Sequence, residues 1–169
     1  RDTDGGMRRG LIKKEASYPT AVNILAIEGY LYQGQTPAQI DKELYFGLPQ
    51  LPEDDVNFII LTSYRLMYYL DSGDVDSAIK ASDRLEGLIE YIPKFYSNEI
   101  MTDVLFCTCS LKGDEEAARE LYKQLKQYLF GEKTLQTYRT CAAYELYVNR
   151  DKMAALHALS DAQKCAEEC

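Results

Sequence analysis

The sequence contains no tryptophan and a single histidine, His157. An H-E-x-x-H metallohydrolase site places two histidines one helical turn apart, so this chain cannot carry one. No apolar run approaches the roughly 20 residues of a membrane span; "FIIL" at 58–61 is among the longest. A signal-peptide pattern is missing. The glycine-rich "TDGGMRRG" lacks the G-x-x-x-x-G-K spacing of a phosphate loop. No segment alternates apolar and polar residues convincingly enough to be a strand. What is present is helical periodicity almost throughout.

At 169 residues the chain is long enough for one domain with a core, and 46% apolar and 27% charged residues are ordinary for a folded chain. Its net charge of −8 is unevenly spread. Residues 1–14 hold Arg1, Arg8, Arg9, Lys13 and Lys14 against Asp2 and Asp4, a net +3, which leaves 14 basic and 25 acidic groups, a net −11, on the remainder. An acidic body repels phosphates and argues against nucleic-acid binding. The basic segment can lie near an anionic membrane surface or be a solvated tail. Five cysteines, an odd number, favour buried thiols in a reducing compartment over a disulfide framework. A first residue of Arg1 instead of Met suggests a piece of something longer.

Residues 1–17, with Gly5, Gly6 and Gly10 and little periodicity, read as a basic flexible leader, and residues 18–169 as one helical domain. A helix is expected from about Thr20 to Gln33, closed at Gly34. Thr36, Pro37 and Gln39 then form the start of a short helix that stops at Gly47. Further helices are expected over 54–71, 75–91, 98–111, 115–130, 135–149 and 152–168. Breaks at Gly34, Gly73, Gly113 and Arg150 are spaced 39, 40 and 37 residues apart. In three of these units an acid is followed four residues later by Ala: Asp74 and Ala78, Asp114 and Ala118, Asp151 and Ala155. Two antiparallel helices per unit at this spacing predict a stacked array, because one hairpin cannot bury its own apolar face. A plain helical bundle with coincidental spacing is the alternative.

The pattern of a large residue, Gly-Asp and a following Ala resembles the tetratricopeptide repeat over about residues 54–168. It is clearest at Tyr69, Gly73, Asp74 and Ala78. At Gly113, Asp114 and Ala118 it recurs with Cys109 in place of the large residue, and in the last unit Arg150 replaces Gly. Leu66 and Phe106 stand where the family has a small residue, Ala143 fits, and the units exceed the usual length of about 34 residues. The resemblance implies an all-α, right-handed stack of antiparallel helix pairs (an alpha-alpha superhelix) of about seven helices. A looser resemblance covers more of the chain. The order "TDGGMRRGL", "NILAIEGYLYQGQTPAQIDKEL" and "LPEDDVNFIILTSYRLMYYLDSGDVDSAIK", matched at Asp4-Gly5, Gly34 and Pro37, is similar to the helical tail of some site-2-type membrane zinc metallopeptidases. It implies a cytoplasmic, non-catalytic segment tethered through a membrane region N-terminal to it.

Little in the chain points to chemistry. His157, Asp161, Cys165 and Cys169 lie four apart, but along one straight helix they span roughly 18 Å and cannot share one metal ion. Cys165 and Cys169 read instead as part of an apolar face with Ala155, Ala158 and Ala162. Cys107 and Cys109 point to different sides of a helix, and Cys141 reads as core. No metal, no cofactor and no catalytic residue is expected. The tetratricopeptide resemblance implies a concave groove lined by the first helix of each pair, at Ile60, Ser63, Met67, Asp103, Cys107, Thr140, Tyr144 and Tyr147. That set has no Lys or Arg, so the carboxylate clamp some such domains use is missing from it. An apolar protein or peptide segment is the expected guest, or a second copy. The tyrosines at Tyr64, Tyr68, Tyr69, Tyr138, Tyr144 and Tyr147 can be core or groove. A free-standing adaptor and a peptide- or small-ligand-sensing repeat domain are the alternative functions.

Overall fold

The computed structural model describes residues 4–48, 51–53, 55–129 and 134–168. Among them every regular element is helical: α1 (Asp4–Tyr32), α2 (Lys42–Phe46), α3 (Val56–Ser72), α4 (Val75–Glu86), α5 (Lys94–Cys107), α6 (Glu115–Leu129), α7 (Leu135–Tyr147) and α8 (Lys152–Glu168). Single 3-10 turns lie at Pro37–Gln39 and Ile89–Tyr91, and a π-helical segment, Thr108–Lys112, extends α5. The all-α expectation holds, with eight α-helices where about seven were expected.

Local chemistry explains the boundaries. Asp74, the acid of the first repeated pair, caps α4 by accepting from the Ser77 N–H at 3.2 Å. Asp114 does the same for α6 through Ala117 at 3.0 Å, and Asp151 for α8 through Met153 and Ala154 at 3.0 and 2.9 Å. Each satisfies orphan donors of a first turn, worth about 1 kcal/mol per cap. The alanine four residues on is buried each time: Ala78 and Ala118 fully, Ala155 nearly so. The breaks themselves are left-handed, at Gly73 (φ 76°) and Gly113 (φ 66°). Arg150 occupies the same conformation with φ 59° and a Cβ, a strain of about 1 kcal/mol. Its ion pair with Glu115 at 2.7 Å is exposed and offsets little of that. Arg150→Gly is therefore expected to raise the unfolding free energy by about 1 kcal/mol, read as a higher urea midpoint at unchanged slope.

Four elements differ from the sequence reading. α1 begins at Asp4, not near Thr20, and runs through Pro19, so helical backbone crosses the boundary drawn at residue 17. Glycines at 5, 6 and 10 disfavour helix by about 1 kcal/mol each. Yet extending an existing helix avoids the costly nucleation step, and residues beyond 17 already supply that helix. α4 ends at Glu86, five residues early, and α5 starts directly after Pro93, four residues early. The short helix after Thr36 divides into a 3-10 turn and α2, although the Thr36 N–H does bond Gln39 Oε1 at 2.9 Å as the capping pair predicted.

Packing follows chain order. α1 lies on α3, α3 on α4 and α5, α5 on α6 and α7, and α7 on α8. A large apolar cluster runs through α3, α4, α5, α6 and α7, with Ile59, Leu66, Leu85, Leu105 and Leu125 fully enclosed. A smaller one joins Ile24 and Ile27 of α1 to Tyr45 of α2 and Ile60, Leu61 and Tyr64 of α3. Glu28 stitches the layers: it accepts from Tyr64 Oη at 2.9 Å and from Tyr96 Oη of α5 at 3.2 Å. On α8, Ala155 and Ala162 are buried and Ala158 and Cys165 half-buried, while His157 is exposed. Cys169 lies outside the described residues. None of the described helices is long and apolar enough to cross a membrane.

Candidate functional site

The first helices of the last three pairs, α3, α5 and α7, face a groove of about 900 Å³. On α5 and its π-helical extension the wall is built by Glu99, Asp103, Phe106 and Ser110, spaced 4, 3 and 4 residues apart along one side. α3 contributes Met67, Leu70 and Asp71, and α7 contributes Leu135, Gln136, Arg139 and Tyr147. The lining is largely apolar with a polar centre.

Asp103 is that centre. Its side chain is 4% exposed, and Oδ1 accepts from Arg139 Nη2 at 3.0 Å and from Gln136 Nε2. Two donors from α7 thus clasp a carboxylate on α5. Burial pushes the Asp103 carboxyl up to about 6, against the opposing pull of Arg139 and the Gln136 hydrogen bond, with Glu99 adding to the rise. Arg139 also stacks over the Phe106 ring, 4.2 Å from its centroid, so its guanidinium is held on two sides.

Of the eight residues expected to line the groove, Met67, Asp103 and Tyr147 do. The other five are buried in the packing. Ile60 belongs to the α1–α3 cluster, and Ser63 Oγ donates to the Ile60 carbonyl at 2.6 Å. The Cys107 thiol, held protonated by burial, donates to the Ala78 carbonyl at 3.9 Å, tying α5 to α4. Thr140 Oγ1 donates to the Thr102 carbonyl at 3.3 Å between α7 and α5. Tyr144 stacks on Tyr122 of α6 with centroids 4.0 Å apart, and burial raises its phenol. The tyrosines therefore divide: Tyr64 and Tyr144 are core, Tyr69 is half-buried at the groove edge, and Tyr147 is open to the groove.

Arg139, Gln136, Glu99 and Phe106 were missed. The signal was available in part, since Glu99, Asp103, Phe106 and Ser110 already shared a stripe. The expected absence of a basic residue from the groove is also corrected, because Arg139 lines it. Its charge is committed to Asp103, so it is not a free clamp for a partner's carboxylate. Among the described residues no three His, Cys, Asp or Glu side chains gather as a metal site. Comparison with protein families, with characterised proteins and with solved structures finds no match to this chain.

Proposed function

We propose that the chain is a non-catalytic protein–protein interaction or regulatory module, a right-handed tetratricopeptide-like stack that holds an apolar partner segment in its groove. The supporting observation is the groove itself, an apolar trough across three successive first helices. The nearest-neighbour packing order and the repeated cap-and-alanine pairs support the repeat reading. Asp71, Glu99 and Asp103 outnumber Arg139 among the lining charges. The partner segment is accordingly apolar with a Lys or Arg among its anchors.

Peptide display against the intact chain tests this. Apolar peptides carrying a basic residue are expected to be enriched, and Leu135→Glu is expected to weaken their binding by at least about tenfold. Leu135 is exposed at the first position of α7, where an added acid suits the helix dipole, so folding survives. Selection of peptides that bind this variant equally well would sink the groove assignment. A second reading, sensing of a small ligand, is favoured by the cavity volume, which lies within the ~300–1,000 Å³ range of small-molecule sites. A small molecule displacing the selected peptides would favour it.

The module is further proposed to be the cytoplasmic tail of a membrane protein of the site-2 metallopeptidase type, its basic end toward the membrane surface. The full-length gene product decides this. An upstream hydrophobic region containing H-E-x-x-H supports it, and a chain starting near Met7 overturns it.

A further inference from the structure

α1 is apolar on two opposite faces. One face, Thr20, Ile24, Ile27 and Leu31, packs toward α3. The other, Tyr18, Val22, Leu25, Gly29 and Tyr32, is spaced 4, 3, 4 and 3 residues apart, the period of a helix–helix seam. That outer seam is open: Tyr18 is 72%, Leu25 67% and Tyr32 94% exposed. A Cβ at Gly29 would meet nothing within 4 Å, so the seam has a gap that admits a partner's side chain. At the far end of the packing order, α8 leaves Met153, Leu156 and Leu159 at least half exposed. Stripes of this kind at rimmed helix faces mark association sites.

The charge pattern says what covers them. By sequence, the first half of α1 is net basic, with Arg8, Arg9, Lys13 and Lys14 against Asp4 and Glu15, and its open apolar seam occupies its second half. α8 has the reverse order, apolar at 153–159 and then net acidic, with Asp161, Glu167 and Glu168 against Lys164, which pairs with Asp161 at 3.5 Å. Two α1 helices meeting would oppose like charges along a parallel pair, and two acidic α8 ends likewise. An antiparallel α1–α8 pair matches both halves at once. Helices share one rise per residue. Setting Leu25 opposite Leu156 therefore brings Val22 level with Leu159, Lys14 with Glu167 and Lys13 with Glu168.

We infer that copies of this chain associate head to tail, the outer seam of α1 in one copy docking antiparallel on the outer face of α8 in the next. The contact is heterologous, so association continues past a dimer or closes into a ring. It uses surfaces separate from the groove.

Light scattering across a concentration series of the intact chain tests this. The wild type is expected to rise in mass beyond a dimer. Val22→Glu/Leu25→Glu and Leu156→Glu/Leu159→Glu, all at exposed positions, are each expected to be monomeric with unchanged helical circular dichroism. Mixed one to one, these variants should form a dimer and nothing larger, since each retains the face the other lacks. Lys13→Glu/Lys14→Glu, which alters only charge, should weaken association at least about tenfold and be rescued by Glu167→Lys/Glu168→Lys. A wild type monomeric up to about 1 mM overturns the inference. So does continued self-association of either seam variant alone, or a mixture that stays monomeric. Leu135→Glu in the groove is expected to leave assembly unchanged, so the two readings fail separately.

Discussion

Replacing Tyr144 by Ala lowers the unfolding free energy by about 3–4 kcal/mol, while replacing Tyr147 by Ala leaves it within about 0.5 kcal/mol of wild type. The two rings sit three residues apart on α7 and do different things. Tyr144 is 6% exposed within the main apolar cluster and stacked on Tyr122 at an interplanar angle of 11°. Its removal forfeits the buried area, leaves a cavity between α6 and α7, and loses the ring pair, worth about 1 kcal/mol beyond area. Tyr147 is 42% exposed at the groove mouth, so its removal should weaken the selected peptides instead. Urea unfolding of both variants, with unchanged slopes, separates the roles. Equal destabilisation by the two changes would show that the groove wall is structural and would remove the reason to call it a docking surface.

A second large effect is tied to pH. The folded-state carboxyl of Asp103 titrates near 6, above its ordinary value of 3.8. Between these values the folded chain binds more protons than the unfolded chain, so this group's contribution to stability falls as pH rises and levels off above about 6. A shift of about two pKa units corresponds to about 2–3 kcal/mol. The wild type is thus expected to lose that much between about pH 4 and pH 7 relative to Asp103→Asn, whose neutral amide does not titrate. Urea midpoints of both proteins at the two pH values read it out. Parallel profiles would mean that Arg139 and Gln136 fully compensate the buried charge. Below about pH 6 protonation also frees Arg139 from its counter-ion, so a groove with net negative lining becomes less so.

The starts of α4, α6 and α8 could be read directly from residues whose job is local. An acid that caps a helix and an alanine four residues on act within one turn, and Asp74, Asp114, Asp151 and their alanines behave as the pattern says. The groove was harder, because its lining depends on how far each first helix is rotated about its axis. Cys107, Thr140 and Tyr144 lie about one residue step round from the open face, and a rotation of that size exchanges a buried set for an exposed one. No local signal sets it; the packing of α4 and α6 does. The π-helical turn at Thr108–Lys112 is equally silent in the sequence, and it adds a residue to the turn leading into Gly113. The helical backbone of residues 4–17 was missed for a different reason, since composition there argues against helix and continuity with a packed segment argues for it.

Because each helix leans mainly on its sequence neighbours, resistance to opening is distributed like tension in a row of linked carriages. α8 rests on α7, and α1 on α3 with the short α2, whereas α3 and α5 each grip partners on both sides. Fraying therefore begins at the ends and stays there, while a fault in α3 or α5 uncouples the row.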